Sequence, residues 1–326
     1  MRILLTGGSG FIGRNLTSYL LEKYPDYTII NFSPRRTGSR QKSIEPFLSR
    51  SNYVFVEGLV ENEEALNEAF ELGVDVVINL AGQTHVDRSL ETPGSVISAN
   101  VFGTQKVLDM CRKHGVKRLV QISSAEVYGP VPKGSNVDES AAFAPVSPYA
   151  ASKAACDLLT QSYHQTFGMD TIITRCTNNY GPFQNVDKLV PLVITNALLG
   201  KPITLYSDGM QMRDWLHVTD HCAAIDAVIH RGISGSVYNI SGKQTATTRE
   251  IIEKVLQILG RSWSLVKSIP DRPGNFDRYA LSIEKLTTDT GWEPTYLLEN
   301  GIIETTNWYQ QHSDWWMKHN EVAIVH

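Results

Sequence analysis

Arg2-Ile3-Leu4-Leu5-Thr6-Gly7-Gly8-Ser9-Gly10-Phe11-Ile12-Gly13 runs from an apolar strand directly into glycines at G-x-x-G-x-x-G spacing, and then into a helical pattern. Glycine permits the tight turn, lets backbone approach a pyrophosphate, and lets the helix lie close to the sheet. Phosphates would then sit on the helix N-terminus, where amide N–H groups have no partner within the helix. Gly7, Gly10 and Gly13 therefore predict a dinucleotide site at the end of a first parallel strand. Outward from this turn, β-branched runs at Ile3–Thr6, Thr28–Phe32, Tyr53–Val56, Val74–Leu80, Arg118–Ser123 and Thr171–Arg175 alternate with apolar residues at helical period. That alternation means βαβ units, hence an α/β fold with a doubly wound parallel sheet of Rossmann type.

From about Tyr180 the texture changes. Pro182, Pro191 and Pro202 punctuate the chain, short strands are expected at Ile203–Tyr206 and Val237–Ile240, and helices at Thr248–Leu259 and Ile283–Thr290. We expect a dinucleotide-binding domain over 1–179 and a smaller α/β substrate lobe over 180–326, with some segments returning to the first domain. The tail Gln310–His326 carries Trp315 and Trp316 in a weak pattern. The length of 326 residues fits two such units, and 30 Lys+Arg against 34 Asp+Glu give a net charge of −4. That balance excludes an electrostatic footprint on nucleic acid or an anionic membrane, so anionic ligands must be held by local design. No stretch approaches the ~20 apolar residues of a membrane span. The four cysteines are scattered without metal-ligand spacing, and a cytoplasmic protein with reduced thiols and no metal is expected.

The second strand continues as Asn31-Phe32-Ser33-Pro34-Arg35-Arg36, with no carboxylate for the adenosine ribose hydroxyls. Ser33, Arg35 and Arg36 suit a ribose 2′-phosphate instead, which favours NADP(H) and leaves NAD(H) possible. Further along, Ser147-Pro148-Tyr149-Ala150-Ala151-Ser152-Lys153 starts a helix on which Tyr149 and Lys153 lie one turn apart. A phenol is a poor base at neutral pH, and a nearby cation favours its ionised form. Tyr149 would remove a proton from a sugar hydroxyl while hydride leaves for a nicotinamide. Ser124, closing the fifth strand, would hydrogen-bond the same oxygen.

At these residues the chain resembles the extended short-chain dehydrogenases/reductases, and within them the nucleotide-sugar 4,6-dehydratases. The matching segments are TGGSGFIG (6–13), HVDRS (85–89), ANVFGT (99–104), EVYG (126–129), SPYAASK (147–153), NNYGP (178–182), KLVPLVI (188–194), QMRDWLHV (211–218), and DRPG (271–274) followed by RYA (278–280). The resemblance implies catalysis by Tyr149 and Lys153 with Ser124 assisting. It also implies cofactor contacts from Phe11, Ile12, Leu59, Leu80, Ala81, Gly82 and Asn100. Thr84, Ala125, Asn179, Lys188 and Leu189 would line the sugar side, with Arg213 and Arg278 near the pyrophosphate of a UDP- or dTDP-hexose. It further implies a homodimer formed by the Tyr149 helix and the helix before it.

The pattern breaks at Ser124-Ala125-Glu126, where family dehydratases carry Thr-Asp-Glu. There the Asp acts as general acid on the departing 6-hydroxyl and the Glu removes the C5 proton; here Glu126 remains and Ala125 has no proton to give. Three readings follow: a 4,6-dehydratase-like lyase, a redox isomerase or reductase on a sugar that has already lost water, and a C4 epimerase in which Glu126 is a bystander. A non-catalytic dinucleotide sensor is the alternative of a different class. After the third strand, Leu59 stands where relatives place an Asp that contacts adenine, so apolar packing would replace a hydrogen bond.

Overall fold

Parallel strands that are apolar on both faces must be covered on both sides, and the central strands of this chain are of that kind. The computed structural model describes residues 1–34, 39–132, 134–271 and 280–320. In chain order the strands are β1 (Arg2–Thr6), β2 (Thr28–Ser33), β3 (Tyr53–Glu57), β4 (Val76–Asn79), β5 (Arg118–Ser124), β6 (Thr171–Cys176), β7 (Asn178–Tyr180), β8 (Ile203–Tyr206), β9 (Met212–His217), β10 (Val237–Ile240), β11 (Thr245–Thr247) and β12 (Val266–Ile269). Seven of them form one parallel sheet in the order β10-β6-β5-β4-β1-β2-β3. The order reverses between β1 and β4, and a doubly wound sheet binds its ligand in the crevice at such a point.

A row of polar side chains fixes the strand ends below that crevice. Thr6 donates to Asn79 Oδ1, and Asn79 donates in turn to Gln121 Oε1 at 2.8 Å. The strands β1, β4 and β5 are thereby locked at one level, with their buried polar groups satisfied by one another.

Strand Val237–Ile240, expected in the smaller lobe, is the seventh strand of the large sheet, paired in parallel with β6. Helix Val218–Arg231 also joins the large core, where Ile225 and Val228 share an apolar cluster with Leu16 and Leu20 of helix Phe11–Lys23. The segment around helix Glu284–Thr290, also expected in the smaller lobe, returns to the large core through Ile283, Leu286 and Trp292, and the remaining segments beyond Tyr180 build a separate core. Strands β7, β9 and β11 form a small sheet, β8 pairs with β12, and helices Leu189–Leu199, Thr248–Ile258 and Leu298–Gln311 cover them through Ile194, Ile252 and Ile302.

Helix Pro148–Phe167 crosses the large sheet with positions 149, 153 and 157 on one inward face, because residues four apart share a side of a helix. Ser147 caps it, accepting from the Ala150 amide, and Pro148 occupies its first turn. Asp157 and Arg175 of β6 form a buried pair at 2.8 Å, and Arg175 also donates to the Tyr128 hydroxyl at 2.7 Å. This pair pins the helix to the sheet eight residues beyond Tyr149. Asp157→Ala would leave the guanidinium buried and uncompensated, and is expected to cost about 3–5 kcal/mol of stability, read as a lower urea midpoint. An unchanged midpoint would place the pinning elsewhere.

Candidate active site

The glycine turn forms the floor of the crevice. Gly7 takes φ +72°, and a Cβ there would sit 3.0 Å from the Ala81 backbone; a Cβ at Gly13 would sit 2.6 Å from Gly8 Cα. Helix Phe11–Lys23 begins after Gly10 with no side-chain cap and no acidic residue in its first turn. Its amide groups are thus left to an anion, and the cradle fits a dinucleotide pyrophosphate. Phe11 and Ile12 are half-buried in that first turn, and Leu80, Ala81 and Gly82 line the facing loop after β4, where Leu80 N–H donates to the Thr6 carbonyl. Leu59, on the loop after β3, is exposed.

Ser33 departs from expectation. It is buried, its hydroxyl donates to Asn31 Oδ1 at 2.8 Å, and it accepts the Ser9 amide at 3.1 Å. A hydroxyl has one proton, and this one is already used inside the fold. Ser33 therefore braces the glycine turn and does not face a 2′-phosphate. Arg35 and Arg36 lie outside the described residues. The hub of the brace is Asn31, to which the sequence pattern assigns no role. It donates to Ser9 Oγ at 3.1 Å and to the Tyr53 hydroxyl at 2.7 Å. The available signal was a polar residue inside the apolar strand Ile29-Ile30-Asn31-Phe32.

Ser124, Glu126 and Tyr149 meet at the end of β5. Ser124 caps the turn Ala125–Tyr128 by accepting the Glu126 amide at 3.2 Å. Burial is the largest cause lifting the Tyr149 phenol above its ordinary range; the Glu126 charge lifts it further, and a hydrogen bond with Ser124 pulls it back. Lys153 is buried one turn away, but its ammonium donates to the Ile122 carbonyl at 2.5 Å. The ionised phenol expected from the Tyr-Lys spacing is therefore disfavoured here. Ala125 is buried in an apolar cluster with Val127, Ala154 and Leu281.

Asn100 accepts the Gln83 amide at 2.7 Å and donates to Ser152 Oγ at 2.8 Å, so it ties the loop after β4 to the Tyr149 helix. Across the crevice, Lys188 donates to the carbonyl of Thr84 at 3.0 Å, which brings these two predicted sugar-side residues together. Leu189 starts the following helix and packs against the second core. Arg213 lies on β9, and its neighbour Asp214 points to the opposite face, accepting from the Ser241 hydroxyl. Arg278 lies outside the described residues. Among the described residues no cluster of His, Cys, Asp or Glu suits a metal ion, and no helix is long and apolar enough to cross a membrane.

Asn179 has a partner that the sequence did not suggest. Its Oδ1 accepts from His221 Nδ1 at 2.8 Å, which places the His221 proton on Nδ1 and leaves Nε2 buried without a partner. Burial pulls His221 down to about 3 and His217 down to about 4. Unfolded imidazoles take up protons below about pH 6.5, whereas these stay neutral in the fold, so stability is lost as pH falls from there toward 4. His221→Gln keeps a donor for Asn179 and removes one titrating group. Its stability should therefore fall less steeply than the wild type's between pH 6 and 4, by about 1.4 kcal/mol per pH unit. Parallel urea titrations in which the two slopes agree would reject this account.

The sequence profile of the NAD dependent epimerase/dehydratase family matches residues 3–241. The chain belongs to this family. It is an extended short-chain dehydrogenase/reductase, and its similarity to solved enzymes is continuous from end to end. It is 40% identical over 320 residues to a dTDP-glucose 4,6-dehydratase of Streptomyces niveus, covering 97% of this chain and 95% of that protein. The crystal structure of DesIV, a dTDP-glucose 4,6-dehydratase of Streptomyces venezuelae with NAD and TYD bound, matches with a TM-score of 0.93 at 39% identity, covering 98% of this chain and 99% of that one. The UDP-glucose 4-epimerase of Thermus thermophilus in complex with NAD matches at 0.88 and 31% identity, covering 96% and 100%. Both of these structures hold NAD, and no described residue supports a preference for NADP.

Proposed function

We propose that this enzyme modifies a nucleoside-diphosphate hexose with NAD(H), through a 4-keto sugar and deprotonation at C5. The observation that carries the reading is the meeting of Ser124, Glu126 and Tyr149 at the end of β5, with the phenol held by Ser124 and close enough to Glu126 to feel its charge. Gly7, Gly10 and Gly13 with the helix they open would hold the cofactor phosphates. Bound NAD supplies a hydride acceptor and, when oxidised, a positive charge at its nicotinamide.

Tyr149 takes the proton of the C4 hydroxyl, with Ser124 orienting the phenol. A ketone at C4 acidifies C5, and Glu126 is the carboxylate placed to accept that proton. Lys188 and Arg213 hold the nucleotide-sugar side, Arg213 with the planar fork that suits a diphosphate. The dehydratase relatives, at 39–40% identity over nearly the whole chain, favour water loss from C5 and C6.

Ala125 favours a second reading. A buried methyl group in an apolar cluster offers the 6-hydroxyl no acid, which suits a redox isomerase working on a sugar that has already lost water. Mass spectrometry of dTDP- and UDP-hexose incubations in D₂O separates the readings. Loss of one water together with gain of a solvent deuteron at C5 supports the lyase; unchanged composition with deuterium at C5 supports the isomerase. Unchanged composition without exchange would instead support the C4 epimerase.

The bound dinucleotide is read as NAD(H), and its identity after release from denatured protein decides it. A homodimer through the Tyr149 helix is proposed as well, because Ile97, Phe102 and Leu158 are large exposed apolar side chains on this side. A monomer in sedimentation equilibrium rejects it.

A further inference from the structure

Phe183 holds a backbone conformation that a bulky side chain rarely adopts, with φ +67°. Such strain persists only where the surroundings over-determine it, and it gathers at ligand clamps and switches. Here the surroundings come from three directions, one of them Trp308, whose ring centroid lies 4.5 Å from that of Phe183. The Arg14 guanidinium lies 3.6 Å from the Phe183 ring centroid, and Trp315 meets the same ring edge-on at 5.6 Å. Arg14 Nε is buried with no hydrogen-bond partner, so the aromatic face takes the place of a polar partner for that part of the cation.

One arm of this stack begins at the cofactor crevice, and the other ties it to the large domain. Arg14 stands four residues, one helical turn, beyond Gly10, on the helix whose N-terminus faces the phosphates. Trp315 donates its indole N–H to Ser43 Oγ at 3.1 Å, and Lys42 pairs with Asp314 at 3.4 Å; Lys42 and Ser43 belong to the helix Ser39–Ile44 that follows β2. The adjoining backbone is gripped too, since Asn15 donates to the Pro182 carbonyl at 3.0 Å. Five residues beyond Phe183 the same loop delivers Lys188, whose ammonium reaches the Thr84 carbonyl across the crevice.

We propose that Arg14, Phe183 and Trp315 are positioning residues that couple the two binding events, so that an occupied cofactor crevice sets the loop 181–188 for the nucleotide sugar. This rests on the substrate-side assignment of Lys188 made above. None of the three residues is assigned to the reacting atoms, so the stack acts on affinity and leaves the chemical step alone. Thermodynamic linkage then requires the coupling to be mutual.

Isothermal titration of dTDP and of UDP into the full-length protein, stripped of NAD or saturated with it, tests the coupling. We expect NAD to tighten nucleotide binding in the wild type by at least about fivefold. The gain should fall below about twofold in Arg14→Met and Trp315→Leu, with kcat at saturation unchanged. Trp315→Phe, which keeps a ring against Phe183, should restore part of the coupling. If Trp315→Leu fails to fold, Arg14→Met decides alone, and a wild-type gain retained there overturns the proposal. Independent binding of NAD and nucleotide in the wild type also overturns it while leaving the proposed function standing. A wild type that binds NAD but neither nucleotide overturns both.

Discussion

Tyr149→Phe is expected to lower kcat by about 10²–10⁴-fold, the usual contribution of a positioned acid–base group, with KM nearly unchanged. The substitution removes one oxygen from a buried ring and leaves the packing of the helix against the sheet intact, so binding should survive while proton removal does not. The environment of the phenol sharpens this expectation. Burial and the Glu126 charge both hold the proton on, and only the Ser124 hydrogen bond works the other way among the leading causes. Lys153, the cation one turn away, is engaged with the Ile122 carbonyl. The phenol therefore ionises readily only when positive charge is added to the site. In the wild type, kcat should rise with pH through the neutral range, since the base form is the scarce one. Ser124→Ala removes the opposing hydrogen bond, so this rise should shift toward higher pH. Steady-state kinetics across pH would check both, and a Tyr149→Phe enzyme within a few-fold of wild type would show that another group takes the proton.

The large sheet was legible because its strands are near-continuous runs of β-branched and aliphatic residues, as burial on both faces demands. The glycine turn was legible for a related reason, since only glycine fits where Gly7 meets the Ala81 backbone. What escaped was whatever depended on partners distant in sequence. The four residues Val237–Ile240 carry no mark of which sheet they will join. Strand Met212–His217 reads as polar, with Arg213, Asp214 and His217, and only the fold buries Asp214 against Ser241. Helix Leu298–Gln311 contains glycine and two threonines, weak helix formers, and is held by tertiary contacts of Ile302, Thr305 and Tyr309. The tail carries only a weak pattern, yet Trp316 is fully buried and donates to the Tyr309 carbonyl. At the site, residue type identified Ser33 as a donor, but the direction of its proton is set by Asn31, two residues back on the same strand.

Glu126→Gln is expected to abolish deuterium exchange at C5 and to lower turnover by about 10²–10⁴-fold, because an amide of the same shape has no basic oxygen. The substitution discriminates among reactions where Tyr149→Phe does not, since every catalytic reading passes through oxidation at C4 and only two of them move a proton on or off C5. A C4 epimerase would keep its rate in Glu126→Gln; a dehydratase or a redox isomerase would not. The same variant reports on Tyr149, because removing the carboxylate removes one of the two leading causes that raise the phenol. Oxidation of the sugar, followed as NADH absorbance in a single turnover, should therefore proceed in Glu126→Gln at least as fast as in wild type and then stall at the 4-keto sugar. Absorbance that forms and persists would separate the two proton transfers and assign the second to Glu126. Full turnover with C5 exchange intact would remove Glu126 from the mechanism, and would leave no described carboxylate at the end of β5 for the role that Ala125 already cannot fill.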